Sequence, residues 1–126
     1  MPSKGFAKIY SFKAGAATVK NYVLIQDPSN TDYVIVPTAN NMNCVGYAND
    51  AATAAGDHIP VQVDDAPRFA VASGGVTKGD LLMAASGGAV MTATTSGTIY
   101  IVGVALETAV TGATFRVLPR FDIVSY

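Results

Sequence analysis

The sequence predicts an all-β domain, a small compact β-barrel or sandwich. Three observations carry this reading. The apolar residues come in short runs that Gly, Pro, Asn or Asp interrupts, whereas a helix needs apolar positions at three- and four-residue spacing over about ten residues or more. Val, Ile, Tyr, Phe and Thr dominate the runs, and these side chains suit a pleated, half-buried surface. Between the runs lie turn-forming clusters such as Asp27-Pro28-Ser29-Asn30, Ala85-Ser86-Gly87-Gly88 and Thr95-Ser96-Gly97.

Residues 1–18 read as an N-terminal arm or edge strand, and 19–126 as a single β domain. In the leading segment Phe6, Ile9, Tyr10 and Phe12 precede a small-residue hinge, Ala14-Gly15-Ala16-Ala17. An extended arm could add to a sheet edge of another chain; an ordinary first strand over Ala7–Phe12 is the equal alternative. Further strands are expected at Tyr22–Gln26, Tyr33–Pro37, Cys44–Ala48, His58–Val63, Phe69–Ala72 and Leu81–Ala84. Four more are expected at Val90–Thr92, Tyr100–Leu106, Thr114–Leu118 and Ile123–Val124. The alanine-rich stretch Ala48–Ala55 fits a short helix or a loop. So many short strands with turns between them predict a barrel or sandwich.

The chain nearly repeats a phrase. Val45 to Asp57 reads VGYANDAATAAGD, and Val102 to Ala113 reads VGVALETAVTGA. At an offset of 57, Leu24 falls on Leu81 and Tyr33-Val34 on Val90-Met91. One residue is lost before the closing glycine, so Gly56 falls on Gly112, Ile59 on Phe115 and Val61 on Val117. An internal duplication of two β units explains this, and so does shared turn chemistry. Gly46 and Gly103 lie inside strands, where glycine allows a bulge or close backbone approach. Gly56 and Gly112 are placed to take positive φ and return the chain to the next strand. Asp50 and Glu107 are placed to accept backbone N–H bonds in the excursion between.

Composition narrows the function. The net charge of −1 gives no basic footprint for nucleic acid. Charged residues are 13 % of the chain, about half the share in an ordinary soluble domain, which favours a surface partly covered by copies or a partner. The longest apolar run, Ile99 to Leu106, falls far short of the roughly 20 residues of a membrane-spanning helix. The N-terminus lacks the apolar core of a signal peptide. Cys44 is the only cysteine and His58 the only histidine, so neither an intrachain disulfide nor a zinc site can be assembled from them. No nucleophile elbow, phosphate loop or complete calcium loop occurs. Asp27 to Asp32 reads as a β-turn, and Asp64-Asp65 as turn acids placed to meet Arg68 or Arg120. No catalytic, cofactor-binding or metal-binding residue is assigned.

The segment Val76 to Leu118 resembles the small capsid cement, or head decoration, proteins of tailed bacteriophages. The matching pieces are Gly79-Asp80-Leu81 leading a strand, Ala89-Val90 in a short hairpin, Val102 to Glu107, and Gly112 to Val117. Val45 to Val71 matches weakly, and the N-terminal segment not at all. The resemblance implies a compact β-tulip-like domain on the exterior of a phage head, made in the host bacterial cytoplasm. It implies a non-enzymatic role in which a homotrimer bridges neighbouring major capsid subunits, with no cofactor, nucleic acid or membrane. On that footing Phe6, Lys8, Ile9, Tyr10 and Phe12 become the expected capsid or oligomer contacts. A tail-tube, head-fibre or receptor-binding module is the alternative.

Overall fold

A computed structural model describes residues 8–126. Ten strands form, and no helix occurs among the described residues. The first five are β1 (Ile9–Ala14), β2 (Val23–Gln26), β3 (Tyr33–Ile35), β4 (Gly46–Ala48) and β5 (His58–Gln62). They close a barrel in the order β1-β3-β2-β4-β5. The second five are β6 (Arg68–Val71), β7 (Leu81–Ala84), β8 (Val90–Thr92), β9 (Thr98–Ala105) and β10 (Thr114–Ser125), in the order β6-β10-β9-β7-β8. The fold class expected from the sequence is therefore found. The two last expected strands are one: β10 runs through Pro119 to Ser125, with its register shifted between Pro119 and Asp122. A bulge bends a strand without ending it.

The two units repeat one another strand for strand. Starting from its first strand, each follows the same path: first, fifth, fourth, second, third. The barrel closes where Ala14 lies parallel to Val34. At the equivalent place Ala72 bridges Val90, also parallel. Thr18 bridges Ala52 in the first unit, and Val76 bridges Ala109 in the second. Backbone bonds outside the strands repeat too. Ala14 N–H donates to Asp57 and Ala72 N–H to Ala113; Gly56 N–H donates to Ala14 and Gly112 N–H to Ala72. Asn21 N–H donates to Ala48, as Gly79 N–H does to Ala105.

Register corrects part of the sequence alignment. Leu24 lies opposite Gly46 and Leu82 opposite Gly103, so Leu24 corresponds to Leu82, not Leu81. Val34 corresponds to Val90, not Met91, because each makes the closing bridge with its alanine. A one-residue slip in a strand turns every side chain to the other face, and only the corrected register keeps both pairs inside. Ala14, Leu24, Val34, Ala48, Ala52, Ile59 and Val61 then pack together within the first unit. Their counterparts Ala72, Leu82, Val90, Ala105, Ala109, Phe115 and Val117 pack together within the second.

In the stretch Ala48–Ala55, Ala48 ends β4 and the rest is a loop, pinned midway by the Thr18–Ala52 bridge. Gly56 and Gly112 close the two loops at φ +92° and +83°, the left-handed region that costs other residues about 1–2 kcal/mol.

Candidate functional site: a buried joint and its free counterpart

The segment expected to be an arm supplies β1. Ile9 to Lys13 pair antiparallel with β5, and Lys13 and Ala14 lie parallel to β3. Ile9 and Tyr10 stay exposed, Phe12 packs partly against the first unit's core, and Lys8 N–H donates to Asp64 Oδ2 at 2.7 Å. Phe6 lies outside the described residues.

Side chains that could do chemistry are not brought together. Cys44 is buried, and burial pushes its thiol up to about 12, away from the thiolate a nucleophile needs. His58 Nδ1 stands 3.4 Å from Ser11 Oγ on the exposed surface, longer than a good hydrogen bond to a hydroxyl. Among the described residues no group of three His, Cys, Asp or Glu could hold a metal ion. A shallow groove of about 390 Å³ runs past Ile25, Pro28, Met42 and Val45, and no titratable cluster lines it.

The acids act locally. Asp27 Oδ1 accepts from Ser29 N–H, which makes the expected turn. Asp64 takes Lys8 and Ala66 N–H rather than an arginine. Arg120 pairs with Asp122, which its own strand supplies. Asp50 bonds only the next N–H, Ala51, and Glu107 reaches Arg116 N–H across the sheet. The loop-closing carboxylate is Asp57 instead, accepting from Thr53 N–H, Thr53 Oγ1 and Ala54 N–H. These bonds, that from the Thr53 hydroxyl foremost, hold its carboxyl below the usual value.

The most elaborate constellation joins the two units. Val23 lies opposite Tyr47, and Tyr47 opposite Gln62. By alternation all three point away from the first barrel's interior, yet all are buried. What covers them is the second unit. Tyr47 donates its hydroxyl to Val102 O at 2.8 Å, and its ring lies 6.0 Å from that of Phe121. Burial holds the Tyr47 phenol far above its ordinary value; Cys44 adds to this and Arg68 opposes it. Gln62 Nε2 donates to Ala66 O at 2.6 Å. Arg68, at the start of β6, lies 4.9 Å over the Tyr47 ring. Its guanidinium donates to Asn21 Oδ1, Asn49 Oδ1 and Ala48 O. Burial brings its pKa down to about 10, with Tyr47 opposing. Cation–π attraction and the neutral acceptors replace the carboxylate a buried arginine usually has. Asn41 adds a second tie, donating to Thr98 O and accepting from Tyr100 N–H.

Sequence reasoning missed Arg68 and Tyr47. One was read only as a partner for Asp64-Asp65, the other as an ordinary strand residue. The one available signal was that Tyr47 is a large aromatic where the second copy of the phrase has Val104.

A solved structure shares this architecture. It is the crystal structure of the N base of the head fibre protein gp8.5 of bacteriophage phi29, with a TM-score of 0.70 and 16 % sequence identity. The superposition covers 96 % of this chain and 100 % of that one, so both units and the joint between them fall within the shared fold. No family model matches the sequence. No curated protein matches it either.

Proposed function

We propose that the chain is a non-enzymatic structural module of a phage head, of the kind that forms the base of a head fibre. The observation that carries this is the likeness to the phi29 head fibre base over nearly the whole of both chains. The composition agrees, since charged residues are few. A domain of this make-up works by shape and contact. Its partner is then the major capsid protein, and its place the exterior of the virion after synthesis in the host cytoplasm.

A second reading is a cement protein that bridges capsid subunits as a homotrimer and strengthens the shell. The Val76 to Leu118 motif favours it. Many identical contacts on one lattice would add up through effective concentration.

Electron microscopy of purified chain mixed with heads lacking it tests both readings. Density on the outside of the heads is expected. Heads that lose fibres on deletion but resist heat equally well would select the fibre base. Heads that burst more readily would select cement. No binding to heads, or a defect confined to tails, would overturn both.

A further inference from the structure

The repeat gives the second unit a surface equivalent to the one the first unit buries. Leu81 lies opposite Val104, and Val104 opposite Leu118. These three stand where Val23, Tyr47 and Gln62 stand in the first unit. The first set is buried in the joint. The second faces outward, with Leu118 37 % exposed and neighbouring Phe69 47 % exposed. An apolar strip of this kind usually marks an interaction site.

The receiving half of the joint is repeated as well. Within the chain, Ala66 to Arg68 receives the first unit's outer face through the Gln62–Ala66 bond and the Arg68–Tyr47 contact. Arg68 lies opposite Val117 on β10, and Tyr10 lies opposite Val61 on β5. Val61 and Val117 are equivalent, so Lys8 to Tyr10 stands where Ala66 to Arg68 does. Ile9 and Tyr10 are apolar and about half exposed, at 46 % and 55 %. Among the described residues the chain thus contains one completed joint and the two unmatched halves of a second.

We propose that the outer face of the second unit docks the first unit of a second copy of this chain, head to tail, around Leu118 and Val104 on one side and Tyr10 on the other. The occupant follows from continuity with the internal joint. The same face of the same fold is already covered by this fold, and the segment that covers it has an unpartnered equivalent. A head-to-tail contact is heterologous: it closes into a ring or grows into a filament. Three chains would close a ring of six units; only that number rests on the proposed function, through the homotrimer of its cement reading.

The test uses the full chain in a Cys44→Ser background. Tyr10→Cys is prepared in one sample and Leu118→Cys in another, and a short bismaleimide is added. Cross-linked species are expected in the mixture and in neither sample alone, because a heterologous joint brings unlike residues together. Leu118→Asp and Tyr10→Asp, both at exposed positions, are expected to leave the melting temperature unchanged and weaken self-association at least tenfold. A chain that stays monomeric at millimolar concentration without cross-linking would overturn the inference, and so would cross-linking of Leu118→Cys to itself. If the chain is monomeric but Leu118→Asp abolishes binding to heads, the face belongs to the shell: the inference fails and the proposed function stands. A head-to-tail oligomer that ignores heads would give the reverse outcome.

Discussion

The two units have the same strand order, the same closing bridge and the same interior positions, yet they differ in how their outer faces are treated. The first unit places Tyr47 there and buries it against the second. The second places Val104 there and leaves it partly exposed. Equivalent backbones have thus acquired unequal surroundings, and the size of one side chain marks which copy carries the joint. Elsewhere the second unit covers its own face. The extended end of the β9–β10 hairpin brings Ile99, Ile101 and Val124 against Met83.

The sharpest way to break this comparison is to truncate both residues. Tyr47→Ala removes a fully buried ring, its hydroxyl bond and the platform under Arg68, and is expected to cost about 3–5 kcal/mol. Val104→Ala, at the same place in the fold, is expected to cost only about 1 kcal/mol, since a partly exposed valine is smaller than tyrosine and gives up less buried area. Urea unfolding of both variants measures the difference. Equal losses would mean that the joint contributes nothing special.

The glycines give the next largest contrast. A methyl group on Gly46 would strike Gln62 O and come within 2.7 Å of Val61 Cγ1. On Gly103 it would meet Leu118 O at 3.0 Å and Tyr47 Oη at 3.1 Å. Gly46→Ala is therefore expected to cost about 2–3 kcal/mol, in the range of core overpacking, and Gly103→Ala distinctly less. Part of the Gly103→Ala loss should vanish in a Tyr47→Phe background, where one of the two close oxygens is gone. A double-mutant cycle on melting curves reads that coupling.

How far these features are legible in sequence depends on what sets them. Strands and turns come from local residue types, so ten of the eleven expected strands appear near their places. The missing boundary is instructive. Pro119-Arg120 reads as a stop, but on this strand the irregularity is absorbed as a register shift, which only the partner strand reveals. The repeat shows best at Val45 and Val102, where residue identity is preserved. It slips at Val34 because the chain from Val34 to Gly46 is one residue shorter than that from Val90 to Gly103, and at Leu24 because the chain from Leu24 to Val34 is two residues longer than that from Leu82 to Val90; a fixed offset cannot follow either change. The joint is the least legible part. Arg68 is partly buried by a face about 20 residues away in sequence at its nearest, and nothing local to Asp64-Asp65-Ala66-Pro67-Arg68 announces that Asn21 and Asn49 will be its acceptors.

A smaller effect, of opposite sign, is expected at Thr18. Its hydroxyl is buried without a hydrogen-bond partner among the described residues, and the equivalent residue in the second unit is Val76. An unpaired buried polar group costs about 1–3 kcal/mol. Thr18→Val should therefore stabilise the chain by roughly 1 kcal/mol, a midpoint shift that denaturant titration resolves. A loss would show that the hydroxyl finds a partner in solution.

The smallest effect concerns the one residue by which the two loops differ. Ala52 corresponds to Ala109, because each makes the same bridge. Ala54 corresponds to Val110, because each accepts the turn bond from Asp57 or Ala113. Thr53 has no counterpart, and Asp57 bonds to its amide and hydroxyl. The second unit needs no such carboxylate and has Ala113 at that position. Since the Asp57 carboxyl titrates below its ordinary value of 3.8 in the fold, its contribution is present above that pH. It is lost as pH falls through the lower folded value. Wild type and Asp57→Ala should thus differ slightly and constantly from neutral pH down to about 4, and converge below it. In a chain lacking Thr53 the same substitution should make a smaller difference at every pH, because two of the three groups that the carboxylate holds are gone and only Ala54 N–H remains. A difference that persisted undiminished without Thr53, or grew on acidification, would show that Asp57 stabilises something other than the extra residue.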